Sequence, residues 1–169
     1  MPLTASMSVA ADATLTSALD LATASAPVTV RAATTWQSGT GAGQADRAWS
    51  DRRTLAASAT EDLDLAGVLL DAFGATVTFA RIKGLYIRAA ATNVNNVIVG
   101  AATANAWAAL LGATGTLTLR PGAAIGLTTG AADAATYAVT AGTGDLLKVA
   151  NSGAGTAVSY DIVIIGASA

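Results

Sequence analysis

The chain has 169 residues, with 9 basic and 11 acidic side chains and neither His nor Cys. Those absences exclude Ser-His-Asp and Cys-His nucleophilic centres, zinc held by Cys or His, and any disulfide framework. A net charge of −2 offers no basic face to displace phosphate counterions, which argues against a nucleic-acid coat.

Residues 1–26 are rich in Ala, Ser and Thr, with few large apolar side chains, and read as an N-terminal arm ahead of a β domain over 27–169. The first basic residue is Arg31, and Asp12 and Asp20 interrupt the opening, so this stretch does not read as a secretion signal. Pro27 to Trp36 alternates, with Val28, Val30 and Ala32 on one face, and predicts a strand. Gln37 to Gln44 has the composition of a flexible loop. Leu55, Ala57, Ala59, Leu63 and Leu65 share one parity, which predicts one long or broken strand. A turn is expected at Asp71–Gly74. Val77 and Phe79 then alternate, and so do Leu85, Ile87 and Ala89, while Ile82 falls on the other parity and suggests a bulge.

Asn93–Asn96 reads as a turn and Val97–Val99 as a short buried strand. Ala101–Leu111 does not alternate and is either a short helix or a loop. Leu117 and Leu119 run into Arg120-Pro121-Gly122, a type II turn signal, with Ile125 and Leu127 on a return strand. Tyr137 and Val139, then Leu147 and Val149, precede two further turns. The segment Val158–Ile165 is apolar on both faces near its end, so it is a central strand or one covered by a partner. The sum is about eight strands in an all-β chain. The expected architecture is a jelly-roll-like antiparallel β-sandwich with an extended N-terminal arm, and another Greek-key sandwich comes second.

No run of about 20 predominantly apolar residues exists, so no helical membrane span is expected. At 12% charged residues the chain carries about half the usual content, a pattern that suits a subunit of an assembly.

Few motifs carry chemistry. Glu61, Asp62 and Asp64 are the only acidic cluster, but Asp62-x-Asp64 lacks the remaining donors of a calcium loop and reads as a solvated strand face. Glu61 and Asp62 are sequence neighbours pointing to opposite faces of a strand, a poor start for acid–base catalysis. Gly39-x-Gly41-x-Gly43 fits no phosphate-binding pattern. Thr114, Thr116 and Thr118 alternate as ordinary strand residues do. Trp36, Trp49 and Trp107 suit core or interface, with a sugar platform as the sharper alternative. Arg47, Arg52 and Arg53 flank Trp49 beside Asp46 and Asp51, reading either as a subunit-contact patch or as a locally neutralised strand edge.

The segments DRRTLAASATEDLDLAG (51–67), FARIKGLYIRAA (79–90), NVNNVIVG (93–100), TLRPGA (118–123) and VSYDIVIIGA (158–167) together resemble small virion structural proteins of tailed bacteriophages. The resemblance spans 45–169 and implies a non-enzymatic β-sandwich, often trimeric, serving as head decoration or tail component. It supplies no catalytic motif. The expectation is therefore a capsid decoration (cement) protein of the virion, assembled in the host cytoplasm, with the major capsid protein and its own copies in a homotrimer as partners. No enzyme activity, cofactor, metal, nucleic acid or membrane is expected. The alternative is a tail-borne fibre or receptor-binding module that holds glycans. Trp36, Trp49, Arg52, Arg53 and Arg120 are the expected contact residues.

Overall fold

A computed structural model describes residues 2–169. The first two strands, β1 (Ala5–Ala18) and β2 (Thr23–Ser38), pair only with each other along their length, from Ala5 opposite Trp36 to Ala18 opposite Thr23. They form a long antiparallel ribbon. The short β3 (Gln44–Ala45) joins β2 in parallel at its last two residues.

The body follows: β4 (Arg47–Leu55), β5 (Thr60–Asp64), β6 (Arg81–Ala89), β7 (Val97–Gly100), the one-turn helix α1 (Ala108–Leu111), β8 (Thr116–Leu119), β9 (Ala124–Thr128), β10 (Tyr137–Ala138), β11 (Leu146–Asn151) and β12 (Val158–Ala167). These strands make two antiparallel sheets. One runs β4-β12-β6, with β9 and β10 both paired to β6; the other runs β5-β11-β7-β8. Leu85, Ile87, Tyr160, Ile162 and Ile164 from the first meet Leu63, Val97, Val99, Leu147 and Val149 from the second in one buried core. The chain is all-β, and this pair of sheets is a sandwich.

The pairing is nested. β4 pairs with β12, β5 with β11, β6 with β9 and β7 with β8, so the first half of the body folds back along the second. Arg120-Pro121-Gly122 forms the expected turn: Ala123 N–H donates to the Arg120 carbonyl at 2.8 Å, and Gly122 takes φ +81°. However, β8 and β9 are not hairpin partners, because this turn carries the chain from one sheet to the other.

The single parity over Leu55–Leu65 hides a similar crossing. The chain turns at residues 56–59, with Ser58 at φ +57°, and β4 and β5 lie in different sheets. Most of the Ala101–Leu111 stretch is irregular. Trp107 just before α1 is anchored instead by an indole N–H donated to the Ala138 carbonyl at 2.8 Å.

The bulge lies where the parity changes. Gly84 faces Ile165 and Ile82 faces Gly166, which leaves Lys83 as the extra residue. Central β12 is covered on both faces. Ile162 and Ile164 enter the core, while Ile165 packs outward under Trp36 and Ala45 at the foot of the ribbon.

That foot revises the expected layout of the N-terminus. The expected boundary at Pro27 falls inside β2, and the strand containing it belongs to the ribbon rather than to either sheet of the sandwich. Val28 and Val30 are therefore exposed. Alternation marks a strand with one apolar face; it does not say what, if anything, covers that face.

Candidate functional site

Two carboxylates of the acidic cluster, Glu61 and Asp64, have structural partners. Glu61 on β5 accepts hydrogen bonds from Arg53 Nε at 2.7 Å and from the Tyr160 hydroxyl at 2.7 Å, which ties β4, β5 and β12 together. Burial pushes the Tyr160 phenol far above its ordinary range, and its bond to Glu61 adds to the effect. The hydrogen bond to Glu61 likewise raises the Arg53 guanidinium. Asp64 accepts from the backbone N–H of Ala66 at 2.9 Å, closing the turn after β5. Among the described residues no three of His, Cys, Asp or Glu come together as a metal-ligand set. A small apolar cavity between Leu85, Trp107, Leu110, Leu117, Ile125 and Leu147 has about 10 Å³, room for one water rather than a substrate.

The expected contact residues separate into two groups. Trp36 and Trp49 are buried within the chain, at 0% and 5% exposure, so neither stands ready as a surface anchor. Their size and shape fill gaps, Trp36 beneath the ribbon and Trp49 in the sandwich core. Trp107 is buried too, edge-on to Tyr137 with ring centres 6.3 Å apart, so none of the three indoles offers a face to a sugar. Arg52 and Arg120 are exposed, and Arg53 is half-buried against Glu61 and Asp51.

Arg52 belongs to a cluster on the outer face of the five-stranded sheet. Asp161 on β12 accepts from Arg52 Nε at 2.6 Å and from Arg88 Nη2 at 2.7 Å, bridging β4 and β6 across the central strand. The Arg52 hydrogen bond, helped by Arg88, pulls the Asp161 carboxyl down to about 2. Two cations sharing one carboxylate leave this patch with a net positive charge.

The glycine-rich loop has a structural role that spacing did not reveal. Lys83, at the bulge, is 1% exposed, and its ammonium donates to the carbonyls of Gly41 at 2.6 Å and Gln44 at 2.5 Å. Burial, with Arg81 nearby, lowers the Lys83 ammonium below its ordinary range. The loop thus supplies carbonyls to a lysine. Its link to the ribbon is direct, since Gln37 N–H donates to the Gly43 carbonyl.

The largest unexplained surface is the ribbon itself. Residues 8–33 are all exposed. Opposed residues of an antiparallel pair share a face, so the register puts Met7, Val9, Ala11, Ala13 and Leu15 beside Thr34, Ala32, Val30, Val28 and Ala26. The other face carries Ser8, Asp12, Thr14 and Thr16 with Arg31, Thr29 and Ser25. Only the foot of the apolar face is seated: Trp36 and Met7 lie over Gly84, Val9 lies over Gly126, and Thr34 Oγ1 donates to the Thr129 carbonyl at 3.0 Å. The tip, between Ala18 and Thr23, adds Leu19 and Leu21, the latter 99% exposed. The alternation of 27–36 held half of this signal; the matching odd-numbered positions of 5–15 were masked by small residues.

In comparisons with known proteins, no family model, curated protein or solved structure matches the chain.

Proposed function

We propose that this chain is a structural subunit of a tailed-bacteriophage virion, a capsid decoration (cement) protein that binds the outer head lattice through the major capsid protein and stabilises it. The observation that carries this reading is the ribbon: a small sandwich projects 26 consecutive exposed residues, 8–33, with one apolar face and a leucine-bearing tip. An isolated two-stranded ribbon is marginal in water, so such an element gains its stability from what it touches. Assembly proteins meet that condition, and repeated weak contacts across a lattice add as avidity.

The nested pairing supports a finer description of the body as a jelly roll, since a long folded hairpin wound into two four-stranded layers is that topology. Here β10 is a short addition at the edge. A homotrimeric state is part of the same reading. The tail-borne glycan module is the weaker alternative, because burial removes the three Trp residues that would have formed its platform.

The direct test is addition of the purified protein to particles that lack it. Saturable binding, with an upward shift in the temperature of DNA release, supports a cement. Failure to bind capsids, together with retention on host glycans, supports the tail module instead.

A further inference from the structure

We infer that the apolar face of the ribbon beyond its foot docks on the same face of a second copy of this chain. This deepens the homotrimeric part of the virion reading by naming the interface, and its test is separate from capsid binding. Three features argue for self-association. The face is continuous with one already used: Met7, Val9 and Trp36 bed on Gly84 and Gly126, and Ala11, Ala13, Leu15, Val28 and Val30 extend the same stripe into solvent.

No charge lies on that stripe. Asp12 and Arg31 both point to the opposite face, so two copies can meet without bringing like charges together. The stripe also has no counterpart on the body. Among the described residues, six of the ten exposed large apolar side chains are on the ribbon or its tip, while Val68, Leu70, Phe73 and Val94 are confined to loops. The surface in this molecule that matches the stripe in chemistry and length is another copy of it.

Size sets the strength. Some ten residue pairs at about 3.3 Å rise, on a ribbon roughly 10 Å wide, give a footprint of about 300–400 Å² per copy. That exceeds scattered surface apolarity but falls short of the about 800 Å² per partner of a stable complex. The contact is therefore reversible in solution and closes fully only where other contacts hold the copies together. Two faces stacked as a small sandwich, or three turned inward around an axis, both satisfy it.

The test is sedimentation of the full chain over a wide concentration range. The weight-average mass of the wild type is expected to rise reversibly with concentration, above 16.5 kDa and toward twice that value. Val28→Asp with Val30→Asp should abolish the rise, and Thr29→Asp, on the polar face, should leave it intact. Should the aspartate pair impair folding, Val28→Thr with Val30→Thr keeps the shape and β propensity and should weaken association severalfold. A wild type that stays monomeric at every concentration overturns the proposal while leaving capsid binding open. An oligomer unaffected by either apolar-face pair overturns it as well.

Discussion

The ring of Trp36 stands directly over Gly84: a Cβ built at that glycine would lie 3.2 Å from Trp36 Cη2 and 3.4 Å from Met7 Cε. This approach joins ribbon to sandwich, because Trp36 ends the apolar face of β2 while Gly84 opens the outer row of β6 beside Ile165. Replacing Gly84 with Leu should lift the foot of the ribbon and cost about 1–3 kcal/mol by overpacking. A lowered melting temperature with red-shifted tryptophan emission is expected. Unchanged values would mean that Trp36 does not rest there.

Lys83 fixes the other side of the foot. Lys83→Ala leaves the carbonyls of Gly41 and Gln44 without their donor and opens a cavity, which together should destabilise by about 2–4 kcal/mol. Amide exchange should accelerate first in residues 37–45, whereas β11 and β12, in the sandwich core, should stay protected. Uniform acceleration across the chain would contradict the tether.

The Arg52–Asp161–Arg88 cluster predicts an acid limb. The Asp161 carboxyl is depressed from 3.8 to about 2, so between those values the unfolded chain binds more protons than the folded one. Its contribution to stability is complete above pH 3.8 and is lost as pH falls toward 2. Asp161→Asn should flatten stability across that window and lower it at neutral pH. Chemical denaturation at stepped pH reads both effects.

Gly122 tests the turn that carries the chain between sheets. Its φ of +81° is costly for a β-branched residue, although the nearest atom to an added Cβ is Ala91 Cβ at 3.7 Å. Gly122→Val should therefore destabilise by about 1–2 kcal/mol through strain rather than collision. An unchanged melting temperature would rule out the positive φ.

Much of the body was legible before the structure. Alternation marks β6, β8, β9 and β11, an apolar run marks β12, the parity break at Ile82 marks the bulge, and Pro121-Gly122 marks the turn, whereas the single parity over Leu55–Leu65 merges the end of β4 with β5. What alternation cannot encode is the partner of a strand. Leu55 and Leu63 share a parity yet lie in different sheets, and Val28 and Val30 alternate as core residues do while facing solvent. The candidate contact residues were harder still. Residue type alone singles out Trp36 and Trp49, but in a chain with two Phe and three Tyr the large indoles fill the interior. The ribbon face emerged only when register set the small residues Ala11 and Ala13 beside Val30 and Val28.

Copy number in purified particles, measured by quantitative mass spectrometry against the major capsid protein, tests the central claim most directly. A cement gives one copy per capsid subunit or a fixed simple fraction of it. A few copies per particle would move the chain to the tail, and its absence from the particle would contradict a virion role altogether.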